Sequence, residues 1–181
     1  MASPSKEGNI LQLILESSPL KEWHFGEIVR EAKVAKAVAN KWLKKYVKEG
    51  LLKRVKTHGR FPYFSAGGNN PVYRSWKRLY ALEMLHKSGL MQQLISLKSA
   101  KTVVIFGSIA RGDWYKSSDI DIFIYGSVKG LNKSLYESRL KRSIEVHEFE
   151  SRKELKEVKT GLLANVLNGY LVKGQMQDIT G

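Results

Sequence analysis

The sequence contains no cysteine, only four prolines and no long apolar run. Without cysteine the chain can form neither a disulfide framework nor a thiolate metal site, and it has no cysteine nucleophile. A membrane-spanning helix needs about 18 or more consecutive apolar residues, so no membrane partner is expected. The N-terminal segment also lacks the apolar core of a secretory signal. These absences together predict a cytoplasmic protein.

Acidic residues are scarce as well, with 17 aspartates and glutamates against 31 lysines and arginines, which gives a net charge of +14. Residues 1–66 have a net charge of +7, residues 67–100 of +4 and residues 101–181 of only +3. A basic surface indicates a polyanionic partner, although a solvated lysine face produces the same charge. Since the acidic residues concentrate toward the C-terminus, we predict one unit that faces phosphates and one that uses carboxylates.

The composition changes at the breaker cluster Gly-Gly-Asn-Asn-Pro, which predicts a domain boundary near residue 68. We predict an α+β protein in three parts. They are residues 1–68, a helical connector over residues 69–100, and residues 101–181. The connector has apolar residues at helical spacing with a break near residues 88–89, a pattern more typical of packing than of a cofactor site. A charged amphipathic segment over residues 151–168 predicts a helix that packs on a sheet.

The first part combines helical and strand patterns. Apolar residues recur at helical spacing over about residues 9–17, 25–32 and 38–47. Two short strands are predicted at residues 51–55 and 61–64. Three short helices followed by a hairpin resemble the winged helix-turn-helix family, and the resemblance covers about residues 6–66.

This resemblance implies that the third helix enters the major groove of DNA and that the wing lies beside it. The implied DNA-binding residues are Lys36, Asn40, Lys41 and Lys44 on that helix and Arg60 at the wing tip. Lysine contacts with phosphates would give salt-dependent affinity, and only Asn40 has the side-chain amide that reads adenine, so little sequence specificity is expected. The alternative is a docking module whose lysines are a solvated helix face.

A strand, a Gly-Ser pair and an Asp-x-Asp motif follow one another in the third part. The β-branched run over residues 101–106 predicts a buried strand that leads into Gly107 and Ser108. Ten residues later, Asp119 and Asp121 alternate with isoleucines, which predicts a strand with both carboxylates on one side. Two such carboxylates repel unless a cation joins them, and oxygen ligands suit Mg²⁺. Because Gly107 leaves room for a phosphate and Ser108 offers a hydroxyl, these residues predict a cradle for a metal-bound nucleoside triphosphate.

A third carboxylate is predicted on the strand-like segment 143–149, where Glu145 alternates with apolar residues. Glu148 and Glu150 are competing candidates that rank lower. The four histidines, His147 among them, lack the spacing of metal ligands, and we expect them to have ordinary structural or surface roles.

The Gly-Ser pair, the ten-residue spacer and the Asp-x-Asp motif together resemble the DNA polymerase β-like nucleotidyltransferase superfamily, particularly its minimal nucleotidyltransferases. The resemblance covers about residues 88–174. It implies a small mixed-sheet domain that uses Mg²⁺ to move a nucleotidyl group from a nucleoside triphosphate, such as ATP, to a hydroxyl. It also implies that Asp119 and Asp121 hold the metal, and that Glu145 stands where the family usually has a third catalytic aspartate.

The same resemblance implies a nucleotide-binding set. Its residues are Gly107, Ser108, Arg111 and Ser118. For Arg111, closing a loop is an equally weighted alternative. The acceptor could be a protein or a nucleic acid, DNA is the expected partner of the first part, and a homodimer is a class-level expectation. The alternative function is a DNA-binding transcriptional regulator whose nucleotidyltransferase domain is a nucleotide sensor or is catalytically silent.

Overall fold

The computed structural model describes residues 6–180, and the chain divides into two compact units, Met1–Lys77 and Arg78–Gly181. The first unit contains a three-stranded sheet and the second a four-stranded sheet. The protein is therefore mixed α+β, with helices around two small sheets. Within residues 6–180, no helix combines the length and apolarity that a membrane crossing requires.

The first unit begins with helices and ends with a hairpin. Its elements are α1 (Lys6–Leu15), β1 (Trp23–His24), α2 (Phe25–Glu31), α3 (Lys36–Lys48), β2 (Lys53–Val55) and β3 (Tyr63–Ser65). The strands form an antiparallel sheet in the order β1-β3-β2. The predicted helices and both predicted strands are confirmed. The sequence pattern misses β1, because two residues are too few to establish a period.

Helix α3 is amphipathic, as its apolar stripe predicts. Ala39, Leu43 and Tyr46 are buried, while the lysines of the helix are exposed. Gly50 follows the helix with a φ of +74°, the left-handed conformation that commonly follows a helix C-terminus. The chain then turns back into the hairpin.

Helix α4 (Pro71–Ser88) begins in the first unit and ends in the second, and α5 (Leu90–Ser96) follows after the predicted break. The remaining elements are β4 (Ala100–Phe106), α6 (Gly107–Arg111), β5 (Ile120–Gly126), α7 (Lys133–Leu140), β6 (Ile144–Phe149), α8 (Arg152–Lys156), α9 (Thr160–Leu167), β7 (Tyr170–Lys173) and α10 (Gln177–Thr180). The sheet has the order β6-β5-β4-β7, with β4 antiparallel to both neighbours and β5 parallel to β6. The sheet is therefore mixed.

Both faces of this sheet are covered. On one face, the isoleucines of β5 are completely buried together with apolar residues of α4 and α5. On the other face, Phe106 and Phe123 form a second cluster with Leu155 and Val166. Asp121 alternates with the buried isoleucines, so it lies on the second face, at the start of β5.

The single helix predicted over residues 151–168 is wrong, because the segment forms two helices, α8 and α9. The chain is extended at Lys159, between them. In one straight helix, Leu155 and Val166 would be about 16 Å apart along the axis. The break allows both to join the same apolar cluster, so burial of both residues favours the broken segment.

Candidate functional site

The end of β4 and the start of β5 meet at the Gly-Ser and Asp-x-Asp motifs. Phe106, the last residue of β4, pairs with Asp121 in the antiparallel ladder. The next residue, Gly107, has a φ of +68°, and a Cβ atom built on it would be 1.9 Å from Oδ2 of Asp121. Any side chain at this position would therefore collide with the carboxylate. The sequence predicts room for a phosphate at this glycine, whereas in the structure the carboxylate of Asp121 lies against Gly107.

Asp121 also meets two side chains of the neighbouring strand. In the parallel pair, Asp121 is opposite Glu145 and Phe123 is opposite His147. Because alternate residues of a strand point to the same face, Asp121, Glu145 and His147 lie on one side of the sheet. Their potential ligand atoms are within 4.8 Å of one another. Nε2 of His147 is 3.4 Å from Oε1 of Glu145.

The electrostatic surroundings of Asp121 disfavour its ionised form. Partial burial raises the pKa of the carboxyl group, and the negative charges of Glu145 and Asp119 raise it further. His147 and Arg111 oppose these effects without cancelling them. A carboxylate with a raised pKa beside other acids is the arrangement that a bound cation relieves.

Asp119 lies just before β5, is exposed, and is not one of the three residues that converge. It is close enough for its charge to raise the pKa of Asp121. The structure therefore brings Asp121 and Glu145 together directly, and places Asp119 in the loop beside them.

Of the three glutamates considered from the sequence, the structure places only Glu145 with Asp121. Oε1 of Glu148 accepts hydrogen bonds from the hydroxyl of Ser127 at 3.1 Å and from the backbone N–H of Val128 at 2.7 Å. Glu150 lies beyond the end of β6.

His147 was not predicted from the sequence as a site residue, and its ring also packs against Phe106 with 5.4 Å between the centroids. The histidine is two residues from Glu145, which is not a spacing that places metal ligands together on a helix. The available signal is the alternation Glu145-x-His147, because residues two apart on a strand share a face.

The loop between α6 and β5 is held in shape by Ser118 and Arg142. The hydroxyl oxygen of Ser118 accepts a hydrogen bond from the backbone N–H of Tyr115 at 2.7 Å. Arg142, only 7% exposed, donates to the carbonyls of Tyr115 and Ser118, and its guanidinium lies 4.9 Å from the ring centre of Trp114. These contacts define the backbone that leads into Asp119.

Arg111 makes the contact expected of a loop-closing residue. Its Nε is 3.1 Å from Oδ2 of Asp113, and half of its side chain is exposed. Its positive charge also lowers the pKa of Asp121, so Arg111 lies within electrostatic range of the carboxylates. Ser108, partly buried, is in the single turn of α6, where its carbonyl accepts from the N–H groups of Gly112 at 2.9 Å and Asp113 at 3.2 Å.

The nucleic-acid candidates of the first unit are all exposed. Lys36, Asn40 and Lys44 are four residues apart, so they follow one side of α3. A groove of about 500 Å³ beside this helix is lined by Phe25, Asn40, Leu43, Lys44, Val47, Arg54 and Phe64. Arg60 lies in the loop between β2 and β3, next to Phe61, which is 85% exposed.

Comparison with known proteins gives one match. Residues 88–166 match the sequence model of a family described as the nucleotidyltransferase domain. This segment contains β4, α6, β5 and β6 and therefore Gly107, Asp121 and Glu145. Searches of curated proteins and of solved structures gave no significant match. The family match supports membership of the nucleotidyltransferase superfamily for this part of the chain and a function in nucleotidyl transfer.

Proposed function

We propose that the second unit is a metal-dependent enzyme that transfers a nucleotidyl group from a nucleoside triphosphate to a hydroxyl acceptor. The observation that carries the proposal is the convergence of Asp121 and Glu145 at the end of β4, where Gly107 has no side chain. In this reaction the acceptor oxygen forms a bond to the α-phosphorus. The bond from that phosphorus to the bridging oxygen breaks, and pyrophosphate leaves.

The residues present fit a divalent cation. Asp121 is a partly buried carboxylate whose pKa is raised by its surroundings, and the oxygens of Glu145 are close to it. We assign metal binding to Asp121 and Asp119, with Mg²⁺ as the expected ion because carboxylate oxygens suit it. When bound, such a cation would offset the negative charge of the phosphates. Glu145, the third acid of the site, would help Asp121 to hold the cation and would accept the proton of the attacking hydroxyl.

For the triphosphate we assign Gly107, Ser108, Ser118 and Arg111. Because Gly107 has no side chain, the Asp121 carboxylate and its cation would meet the triphosphate at the end of β4, and Ser108 offers a hydroxyl there. Ser118 shapes the loop before Asp119. Its hydroxyl oxygen accepts a hydrogen bond from the N–H of Tyr115, so the hydroxyl proton can still be donated to a phosphate. Arg111 would add positive charge at the edge of the carboxylate cluster.

The test compares two isotopic labels. The full chain would be incubated with a nucleoside triphosphate labelled at either the α- or the γ-phosphate, with Mg²⁺ or Mn²⁺, and with DNA, RNA and protein acceptors. Nucleotidyl transfer puts the α-label on the acceptor and releases the γ-label as pyrophosphate. The Asp121→Asn variant should lose transfer, while the matched Glu148→Gln variant, on the same strand as Glu145, should retain it.

Transfer of the γ-label would overturn the proposal, because it indicates a phosphotransferase. The absence of α-label transfer to every acceptor, with the chain folded and nucleotide bound, would favour the nucleotide sensor or silent domain. Together with intact DNA binding, that result would favour a transcriptional regulator.

For the first unit, we propose a winged helix-turn-helix module that binds DNA through α3 and the β2–β3 loop. The order of helices and strands and the antiparallel sheet support this proposal. Lys36, Lys41 and Lys44 would contact phosphates, and Asn40 would face base edges. In the wing, Arg60 would contact the backbone, and the exposed Phe61 beside it could insert between bases in the minor groove.

Fluorescence anisotropy with duplex DNA at several salt concentrations tests this module. We expect affinity to fall steeply between about 50 and 200 mM salt, and the slope to decrease by about one for each of Lys41→Gln and Lys44→Gln. Lys87→Gln, an exposed lysine paired with Glu83 on α4, is the matched control and should leave the slope unchanged. Binding that is equally tight at both salt concentrations would contradict phosphate contacts by α3.

A further inference from the structure

We propose that His147 is a metal ligand of this site and that its nitrogen makes the site prefer Mn²⁺ to Mg²⁺. The proposal rests on the proposed nucleotidyltransferase function, because it concerns the metal that this function would use. It goes beyond a site made of carboxylates alone.

The imidazole of His147 lies close to both carboxylates. His147 lies two residues after Glu145 on β6 and therefore on the same face of the sheet as Asp121. The three ligand atoms are within 4.8 Å of one another. Ligands on a common ion at roughly 2.1 Å can be at most about 4.2 Å apart, so small side-chain rotations bring all three onto one ion.

Packing against a neighbouring aromatic ring holds the imidazole of His147 in place. The imidazole lies against Phe106, which is 5% exposed and is the residue that pairs with Asp121 in the ladder. His147 is itself partly buried, with a side-chain exposure of 27%. A ring supported in this way loses little conformational entropy when it coordinates an ion.

The donor atoms of the three side chains are two kinds of ligand, carboxylate oxygen and imidazole nitrogen. Carboxylate oxygens suit both Mg²⁺ and Mn²⁺, and imidazole is a ligand of transition ions, the group to which Mn²⁺ belongs and Mg²⁺ does not. A set of two carboxylates and one imidazole, without cysteine, keeps the oxygen-rich character that Mn²⁺ accepts and adds a nitrogen that Mg²⁺ uses poorly. His147 therefore determines which ion is bound, while Asp121 and Glu145 determine that a divalent cation is bound.

The experiment measures metal binding rather than turnover. Mn²⁺ binding to the full chain would be followed by loss of the free-ion electron paramagnetic resonance signal, and Mg²⁺ binding by competition against Mn²⁺. In the wild type, electron spin echo modulation should show a coordinated imidazole nitrogen. His147→Gln should abolish this signal and reduce Mn²⁺ affinity at least about tenfold, since even outer-shell partners affect metal affinity by roughly 10- to 100-fold.

Mg²⁺ affinity should change less than about threefold in the same variant, because its ligands are oxygens. His86→Gln, an exposed histidine of α4, is the matched control and should change neither affinity. Equal losses for both ions, no loss for either, or no nitrogen modulation in the wild type would overturn the role of His147. Failure of the proposed function has a separate signature: no acceptor would receive the α-label, while Mn²⁺ binding and its weakening in His147→Gln would remain.

Discussion

Gly107 and Asp121 are so close that a Cβ atom on the glycine would be 1.9 Å from Oδ2 of the aspartate. This relationship follows from the ladder, because Phe106 and Asp121 are paired and Gly107 is the next residue. The glycine of the Gly-Ser motif therefore leaves the space that the carboxylate of the second aspartate in the Asp-x-Asp motif occupies. The two motifs are parts of one packing arrangement.

Replacement of Gly107 by alanine should damage the site and the fold together. The substitution combines a steric overlap with a φ of +68°, which residues other than glycine rarely adopt. We expect a loss of about 1–3 kcal/mol in the free energy of unfolding. Displacement of the Asp121 carboxylate should also weaken metal binding. Chemical denaturation and Mn²⁺ titration would measure the two effects.

Gly161 provides the control for this substitution. It lies in α9 and has no positive φ, and a Cβ atom added there would meet no atom of residues 6–180 within 4 Å outside its own helix backbone. Gly161→Ala should therefore be neutral or stabilising by up to about 1 kcal/mol, as for alanine in place of glycine in a helix. If Gly107→Ala behaved like Gly161→Ala, the close approach to Asp121 would have no consequence.

Asp121→Asn should stabilise the metal-free protein at neutral pH. The pKa of Asp121 is raised by burial and by Glu145, so the stability of the wild type decreases as the pH rises from the ordinary value through the raised one. Asparagine removes the unfavourable charge. We expect the thermal midpoint of the variant to be higher than that of the wild type at pH 7, with the difference disappearing near pH 3, where the carboxyl is protonated.

Addition of Mn²⁺ should reverse this order. A ligand that binds only the folded state stabilises it, and only the wild type retains the Asp121 ligand. Differential scanning fluorimetry with and without the ion would measure the difference in thermal midpoint between the two proteins in each condition. A variant less stable than the wild type in metal-free buffer at pH 7 would contradict the electrostatic argument.

Arg142→Met should destabilise the loop that precedes Asp119. The guanidinium donates to the carbonyls of Tyr115 and Ser118 and stacks near Trp114, and methionine can replace only the packing. We expect a loss of about 1–3 kcal/mol in the free energy of unfolding, because the carbonyls of Tyr115 and Ser118 lose the charged donor of the buried Arg142. Hydrogen exchange should accelerate over residues 113–118. Arg152→Met, at an exposed arginine in α8, should change neither measurement.

Asp178 should titrate below the usual aspartate value of 3.8. Hydrogen bonds from Lys101 at 2.9 Å and from Thr102 at 2.9 Å lower the pKa of this carboxyl group. Because the pKa is lowered in the folded state, the ionised Asp178 carboxylate stabilises the fold at pH values above its ordinary pKa. This contribution is lost as the pH falls through the lowered pKa. Carbon-detected NMR titration would measure it, and Lys101→Met should raise the pKa. An unchanged titration in that variant would contradict the assignment to Lys101.

Much of the fold follows from local patterns. The alternation of isoleucines with Asp119 and Asp121 predicts β5, and the apolar stripe of α3 predicts its buried side, because strand and helix periods are properties of neighbouring residues. A strand as short as β1 cannot be predicted in this way, because two residues do not establish a period. The break between α8 and α9 could not be predicted either, since it depends on the position of the apolar face of the sheet.

The sequence by itself determined that a Gly-Ser pair ends one strand and that aspartates begin another, because both depend on local backbone preference and on spacing along the chain. It also predicted a cation at the aspartates, because neighbouring carboxylates repel each other. Only the tertiary structure decided which residues share the site. The register between parallel β5 and β6 places Glu145 and His147 beside Asp121 and directs Glu148 to the Ser127 loop. That register results from long-range packing of the whole sheet, which no local pattern encodes.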